Sequence, residues 1–338
     1  MTFRKNMSAV FSAAGILALI LDSHTALSGA ASGIDLCLKS ILPSLFPFLF
    51  LCTIMTDALW GSQYGLLKMI GSKTGVPSGA ESLLIAALLG GYPAGAQAVA
   101  AAYTDRKLTR QDAEHLLTFC NNAGPAFLFG IVSGQFEKLS MVWALFVIHI
   151  LAALWTGTLL SGRKHSHTQL QPKHNSVPEM LSRSVKTMAV ICGWIILFRI
   201  LTEYLSRWIL QFLPSVMQVI LSGVLELSNG CCSLSMIENT YTRFLTCSCL
   251  LSFGGLCIAM QTASVIDGLS IKPYFLGKLL QTVFSFVLSM SYLHFGWVSL
   301  MIAAACFMAI PKKTVDFQSR TVYNGAKIHE RNQVHAVS

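Results

Sequence analysis

The fold of this chain is decided by residues 81–103, which read ESLLIAALLGGYPAGAQAVAAAY. The stretch is mostly apolar, but Gly90-Gly91-Tyr92-Pro93-Ala94-Gly95 interrupts its centre. Glycine permits tight turns and proline ends a preceding helix, so the segment can fold as two half-helices. A second apolar segment, 215–238, is interrupted in a similar way by Glu226-Leu227-Ser228-Asn229-Gly230. Each segment is either a full membrane span or a re-entrant hairpin.

The composition of the whole chain indicates a membrane protein. Of its 338 residues, 54% are hydrophobic and only 12% are charged, and the mean hydropathy is +0.60. Soluble domains carry about 25% charged residues, so a soluble protein of this composition could not cover its own surface with polar groups. Backbone groups inside a bilayer must be hydrogen-bonded within the protein, so the long apolar segments are predicted to be helices.

The distribution of basic residues chooses between spans and hairpins. Apart from the two interrupted segments, apolar stretches long enough to cross a bilayer occupy 8–28, 38–60, 113–133, 140–161, 187–205, 244–266, 274–293 and 295–310. If both interrupted segments are re-entrant and the N-terminus is cytoplasmic, most of the 24 Lys and Arg residues, Lys278 among them, fall on the cytoplasmic side. The exceptions are Lys39, Lys138, Arg207 and Arg243 outside, and Arg199 within a span. If both segments cross, the basic residues divide almost evenly, which the positive-inside rule disfavours.

We therefore predict an all-α polytopic membrane protein with about eight transmembrane helices and two re-entrant hairpins, and with both termini cytoplasmic. The hairpins enter from opposite faces, so the two halves form an inverted repeat. In support, Leu116-Leu117-Thr118-Phe119 and Leu250-Leu251-Ser252-Phe253 follow the two hairpins at nearly the same distance, and each block runs into a break. The predicted divisions are an N-terminal transmembrane helix at 1–30, a first half at 31–161, a basic cytoplasmic linker at 162–186, a second half at 187–294, a last transmembrane helix at 295–310 and a cytoplasmic tail at 311–338.

The breaks in these helices are the predicted functional site. A broken helix exposes backbone groups and a partial charge at membrane depth, which is tolerated only where it is buried or lines a wet cavity. Secondary transporters place such breaks around the solute near the middle of the membrane. The candidate substrate-binding residues beside the breaks are Gly91, Tyr92, Gly95, Gln97, Asn121, Asn122, Gly124, Glu226, Ser228, Asn229, Gly254, Gly255, Gln261 and Thr262.

The polar members of this set allow more than one interpretation. Glu226 is ionisable at membrane depth, where ionisable groups are costly, so it could bind a coupling proton, a sodium ion or the solute. It could also be a structural carboxylate that pairs with backbone groups. Asn121 and Asn122 could line the site or could join helices by hydrogen bonds.

Other functional classes find little support in the sequence. No HExxH, GxSxG or P-loop motif is present, so we predict no enzyme and no catalytic residues. His165, His167 and His174 are irregularly spaced, so neither a metal site nor a cofactor is predicted, and a coupling ion, H⁺ or Na⁺, is left open. The net charge of +9 resides in loops that orient a membrane protein, so nucleic acid is not an expected partner. Oligomerisation is left open.

The breaks also carry a family resemblance. Phe46-Pro47-Phe48, the block from Gly91 to Gln97 and the block from Phe119 to Pro125 resemble the YlbJ/SpoVV sporulation integral membrane proteins, within the wider nucleoside-recognition or Gate-domain group. The second half agrees more loosely at Glu226-Leu227 and from Leu251 to Gln261, and the resemblance runs from about residue 30 to 310.

The resemblance implies a transporter architecture like that of concentrative nucleoside transporters. Sporulation members of the group are implicated in moving dipicolinic acid, a small aromatic dianion, during endospore formation, and half-helix N-termini would suit its carboxylates. The expected function is thus a cell-membrane transporter of a small polar or anionic solute, with dipicolinic acid first. The expected partners are the lipid bilayer and that solute. The alternatives are a nucleoside-type carrier and a non-transporting scaffold for spore-envelope (cortex) assembly that docks through 162–186.

Overall fold

A computed structural model describes residues 2–62, 64–161 and 176–311 of the chain. These residues form helices and no strands, which confirms the predicted all-α class. The α-helices are α1 (Thr2–Leu21), α2 (Ser23–Leu36), α3 (Leu42–Ala58), α4 (Gly65–Thr74), α5 (Leu83–Leu89), α6 (Ala94–Thr104), α7 (Arg110–Leu116), α8 (Pro125–Gly130), α9 (Leu139–Leu160), α10 (Val177–Trp208), α11 (Ser215–Leu225), α12 (Leu227–Cys232), α13 (Thr240–Phe253), α14 (Gly255–Val265), α15 (Lys272–Phe295) and α16 (Trp297–Ala309). Short 3₁₀ turns at Val132–Gln135, Leu210–Phe212 and Leu234–Met236 connect some of them.

Several helices are long and apolar enough to cross a bilayer, as a polytopic membrane protein requires. In the part of the chain that the structure describes these are Ser23–Ala58, Leu139–Leu160, Val177–Trp208, Thr240–Val265 and Lys272–Phe295. Shorter apolar helices occupy Ser12–Leu21, Ser215–Leu225 and Trp297–Ala309. The predicted spans 140–161, 274–293 and 295–310 each match a helix to within a few residues.

The N-terminal part of the chain departs from the predicted spans 8–28 and 38–60. The predicted first helix at 1–30 is divided at Asp22, whose side chain accepts hydrogen bonds from the backbone N–H (3.3 Å) and hydroxyl (2.8 Å) of Thr25. This is an N-cap, which starts a new helix. From Ser23 the chain then continues to Ala58 without a loop, through a π-helical turn at Cys37–Ile41.

Glycine allows this long helix to pack closely against α10. A Cβ added at Gly29 would lie 2.8 Å from the Cα atom of Ile200, and one added at Gly33 would lie 2.9 Å from that of Ile196. Two small residues four apart let two helix backbones approach, as in many membrane helix pairs.

Helix α10 begins earlier than the sequence suggested. Ser176 and Glu179 form a capping box that starts the helix at Val177, inside the stretch 162–186 that was predicted as a linker. The span predicted at 187–205 therefore extends in both directions. Residues 162–175, with their three histidines, and the tail beyond Pro311 lie outside the described residues.

The two interrupted segments are helical hairpins. The first consists of α5 and α6, which turn at Gly90–Pro93, where Gly91 has φ +80°. The second consists of α11 and α12, which are separated by the extended residue Glu226. At 1.5 Å per residue these helices are roughly 9–17 Å long, so none of them alone crosses a hydrocarbon core of about 30 Å.

The helix that follows each hairpin is broken. The span predicted at 113–133 is broken at its predicted break, Asn121–Pro125: α7 ends at Leu116, and the backbone runs without regular structure from Asn121 to Gly124 before α8 begins. In the second half, α13 and α14 meet at a break at Gly254 and Gly255, whose φ angles are +84° and +86°. Such φ values favour glycine, so the sequence determines where this helix breaks.

Each hairpin packs against the break that follows it. A Cβ added at Gly95 would lie 1.6 Å from the carbonyl oxygen of Cys120, and one added at Gly124 would lie 2.8 Å from the Cα atom of Gly91. Likewise, a Cβ added at Gly255 would lie 2.8 Å from the carbonyl oxygen of Gly223. Both halves thus show the same order of hairpin, broken helix and long helix, with α9 and α15 in the last place. The opposite orientation of the halves in the membrane stays a prediction.

Candidate functional site

A cavity lies where the two hairpin tips and the first break converge, and we call it the central cavity. Its volume is about 70 Å³. Its lining residues come from the π-helical turn and α3, both hairpins, the first break with α8 and the residue after it, α10 and α14. They are Ile41, Ser44, Leu45, Phe48, Leu89, Gly90, Gly91, Tyr92, Ala123, Gly124, Ala126, Phe127, Ile131, Ile191, Ile195, Glu226, Leu227, Ser228, Ile258 and Gln261.

Apart from Ser44 on α3, the polar side chains of the largely apolar central cavity lie at the hairpins and at α14. These are Tyr92 on the first hairpin, Glu226 and Ser228 on the second, and Gln261 on α14. All four are buried. An apolar pocket with a small number of placed polar groups is the usual form of a small-molecule site.

Glu226 acts as the N-cap of α12. One carboxylate oxygen accepts from the backbone N–H of Ser228 (3.0 Å), and the other accepts from the Ser228 hydroxyl (2.5 Å) and from the N–H of Asn229 (2.9 Å). The carboxylate therefore occupies the positive end of this half-helix itself. Glu226 thus pairs with backbone groups, as one of its two interpretations predicted. Its side chain also lines the central cavity.

The two asparagines of the first break join the halves of the protein. Asn121 donates from Nδ2 to the hydroxyl of Thr262 on α14, at 2.9 Å. Asn122 donates from Nδ2 to the carbonyl oxygens of Ala87 (3.0 Å) and Phe119 (2.7 Å), which fixes the direction of its side-chain oxygen. Both residues are buried, and neither lines the central cavity.

Lys278 is the main functional candidate that the sequence analysis missed. It was assigned to the cytoplasmic side, but in the structure it is 0% exposed within α15. Its Nζ donates to the side-chain oxygens of Gln281 (2.8 Å), Tyr92 (3.1 Å) and Asn122 (3.4 Å). Because Tyr92 and Asn122 belong to the first hairpin and the first break, Lys278 joins both to the second half.

A polar stripe along α15 is the sequence signal that could have revealed Lys278. Lys278, Gln281, Ser285 and Ser289 recur every three or four residues, and all are 0% exposed. This spacing places them on one face of a helix. A polar face on an otherwise apolar membrane helix indicates a polar interior rather than a loop.

The stripe continues the hydrogen-bond network through the core. Ser285 and Ser289 lie 2.5 Å and 2.7 Å from the hydroxyls of Ser252 and Ser248 on α13. The Nε2 atom of His149 accepts from the backbone N–H of Ala123 at 3.0 Å, and its Nδ1 lies 3.2 Å from the Ser252 hydroxyl. Because Nε2 accepts, His149 is a neutral imidazole with its proton on Nδ1.

Several buried polar atoms have no hydrogen-bond partner among the described residues. They include both side-chain polar atoms of Gln97 and the side-chain oxygens of Asn121 and Asn229. Gln97 lines a second cavity, of about 40 Å³, together with Thr56, Asp57 and Lys107. It therefore lies away from the other candidates.

The predicted site residues thus fall into distinct groups. Those that line the central cavity are Gly91, Tyr92, Gly124, Glu226, Ser228 and Gln261. Those that support it from behind, by packing or hydrogen bonds, are Gly95, Asn121, Asn122, Asn229, Gly254, Gly255 and Thr262. Gln97 belongs to the second cavity. In the described part of the chain, no group of three or more His, Cys, Asp and Glu residues is placed to hold a metal ion.

Comparison with known proteins finds a relative among sporulation membrane proteins. The chain is 27% identical over 324 residues to the sporulation integral membrane protein YlbJ of Bacillus subtilis (strain 168), an alignment that covers 79% of this chain and 78% of that protein. No family model matches the chain, and no solved structure matches it. The similarity confirms the resemblance to YlbJ-type sporulation membrane proteins, whereas the Gate-domain assignment stays a prediction.

Proposed function

We propose that this YlbJ-type membrane protein carries a small polar or anionic solute across the cell membrane during sporulation, with dipicolinic acid as the first candidate. The observation that carries the proposal is the position of the central cavity. It lies between the tips of two hairpins that belong to opposite halves of the chain. A solute bound there would contact both halves, so a movement of one half against the other could expose it to either side.

The size of the cavity fits a carrier in a closed state. At about 70 Å³ it is far smaller than ordinary ligand pockets, which measure roughly 300–1,000 Å³. A pyridine dicarboxylate cannot enter until the lining elements separate. The hairpin tips are suited to such movement because they are short and turn at Gly91 and at Glu226.

The lining is compatible with an aromatic acid. Leu45, Phe48 and Ile195 offer apolar contact to a ring, and Ser228 and Gln261 offer polar groups beside it. The proposal assigns no catalytic step to the protein, and it leaves the coupling ion, H⁺ or Na⁺, open.

The test is uptake of labelled dipicolinate into liposomes that contain the purified protein. Ala126 lines the central cavity, and Ala126→Phe would fill it. Ala305, which is exposed on α16, provides the matched control Ala305→Phe. We expect saturable uptake by the wild type and by Ala305→Phe, and its loss in folded Ala126→Phe.

The opposite result would favour the scaffold alternative. If the folded wild type takes up neither dipicolinate nor any of a panel of nucleosides, the carrier proposal fails. A neutral replacement of the basic linker at 162–186 would then be tested for loss of spore cortex, which the scaffold alternative predicts.

A further inference from the structure

The ammonium group of Lys278 has three hydrogen-bond acceptors whose orientation is fixed by other bonds. The Tyr92 hydroxyl donates to the carbonyl oxygen of Leu251 at 2.9 Å, so it accepts from Lys278. Asn122 uses its amide N–H groups for two carbonyl oxygens, which turns its Oδ1 towards Nζ. Gln281 donates to Asn122 at 2.9 Å, which turns its Oε1 towards Nζ at 2.8 Å. Three acceptors match the three N–H donors of a charged lysine.

The charge of this group is not balanced by the protein around it. Among the residues that the structure describes, no Asp or Glu forms an ion pair with Lys278. Nζ also lies near the rings of Tyr92 and Tyr274, whose centroids are 5.0 Å and 5.9 Å away. The carboxylate of Glu226 accepts hydrogen bonds from the first turn of α12 and is not paired with Lys278. Buried cations at membrane depth are costly unless a counter-charge is present.

Lys73, which is also buried, shows how the charge of a lysine is compensated elsewhere in this structure. It donates to the carbonyl oxygens of Met308 and Ile310, at the C-terminal end of α16. A helix C-terminus carries partial negative charge, which compensates the ammonium. Lys278 has no such compensation, because its acceptors are neutral side chains.

An anionic solute in the central cavity can reach Lys278 and supply the counter-charge. Tyr92 both lines the cavity and holds one acceptor position of Lys278. Asn122 and Gln281, which hold the other two acceptors, do not line the cavity, so Tyr92 is the acceptor that a solute in the cavity can replace. It stands on a hairpin tip next to Gly91, whose φ of +80° marks a turn rather than a helix.

We propose that Lys278 is the residue that makes the central cavity select anions, and that a carboxylate of a small aromatic acid takes the place of the Tyr92 hydroxyl on its ammonium group. The inference rests on the proposed carrier function and names the charge class of the solute. Lys278 is then a specificity-determining residue that lies behind the ring of Tyr92, which lines the cavity.

The test compares two ligands of the same ring and nearly the same shape, pyridine-2,6-dicarboxylate and the neutral pyridine-2,6-dicarboxamide. Their binding to the purified protein in nanodiscs is measured by titration calorimetry. The wild type should prefer the dicarboxylate by roughly tenfold or more. Folded Lys278→Gln and Lys278→Met should lose this preference, and Lys278→Arg should keep part of it. The control Lys73→Gln should bind as the wild type does.

The binding measurement tests the role of Lys278 separately from the carrier function. If the preference persists in folded Lys278→Gln, or if the wild type shows none, the assignment of Lys278 is wrong even where uptake is observed. If the preference depends on Lys278 but liposomes take up no solute, the anion site stands and the carrier function falls. Unfolding temperatures in detergent establish which variants are folded, and Lys278→Met, whose unbranched apolar side chain leaves no buried polar group unpaired at this position, covers a failure of Lys278→Gln to fold.

Discussion

Asn122 and Gln281 are joined by a hydrogen bond of 2.9 Å, although they are 159 residues apart in the chain. The bond connects the break of the first half to the long helix α15 of the second half. The same asparagine oxygen lies 3.4 Å from Nζ of Lys278. The functional site is thus built on polar contacts between the halves, and its stability depends on them.

Replacing Asn122 should destabilise the protein more than replacing its neighbour. Asn122→Ala leaves two carbonyl oxygens, the Gln281 amide and the Lys278 ammonium short of a partner, and we expect a loss of about 3 kcal/mol. Asn121→Ala removes the single bond to Thr262, which in membrane proteins is worth about 0.6–1 kcal/mol. Unfolding in detergent measures both values. Equal losses would mean that the network around Asn122 contributes nothing beyond one hydrogen bond.

Glu226 should behave first as a helix cap. Glu226→Ala removes three acceptor contacts from α12, and we expect a loss of about 2 kcal/mol in unfolding free energy. Glu226→Gln should lose about half as much, because its amide oxygen can still accept from one backbone N–H. The same unfolding assay applies. A wild-type stability in Glu226→Ala would show that the carboxylate is free for a solute or an ion.

Glycines at the close approaches should be intolerant of a methyl group. A Cβ at Gly277 would lie 1.9 Å from the carbonyl oxygen of Thr118, and one at Gly95 would lie 1.6 Å from that of Cys120. Both neighbours are backbone, so Gly277→Ala and Gly95→Ala should abolish the folded, monodisperse protein. Gly193 meets nothing within 4 Å, so Gly193→Ala should gain about 0.5–1 kcal/mol through helix propensity. Size-exclusion chromatography and unfolding distinguish these outcomes, and normal folding of Gly95→Ala would refute the hairpin packing.

How far the sequence predicts this molecule depends on the kind of residue. Gly254-Gly255 and Gly90–Pro93 mark turns by their own backbone preferences, so their place as breaks can be read directly. The start of α10 is local as well, because Ser176 and Glu179 form a capping box, but the stretch 162–186 was read as a linker and this signal was not used. The break at Asn121–Pro125 was predicted inside the span 113–133 from its asparagines, glycine and proline, and the structure has it there.

The burial and the contacts of the polar residues are what was predicted least well from the sequence. Lys278 was counted as a cytoplasmic charge, since lysine is usually exposed and the positive-inside rule treats it as a loop residue. Its hydrogen-bond partners Tyr92 and Asn122 lie far away in the sequence and reach it only through tertiary folding, so the sequence alone does not reveal its burial. For Glu226, likewise, the sequence showed a carboxylate at depth but not which groups it contacts.

The predicted topology has its own test. In a background without the native cysteines, Thr104→Cys at the end of α6 should react with an impermeant maleimide from the cytoplasmic side, and Glu238→Cys should react from the outside. Both positions are exposed in the structure. Labelling of Thr104→Cys from the outside would place the first hairpin across the membrane and would remove the inverted repeat.

The measurement that tests the carrier account most directly is two-sided access to the central cavity. A single cysteine at Ala126, in the same background, is exposed to an impermeant maleimide from either side of sealed vesicles, with and without dipicolinate. The account predicts labelling from both sides, because the cavity opens alternately, and slower labelling from both sides when dipicolinate is present. Labelling from one side only, at a rate that dipicolinate does not change, would contradict it.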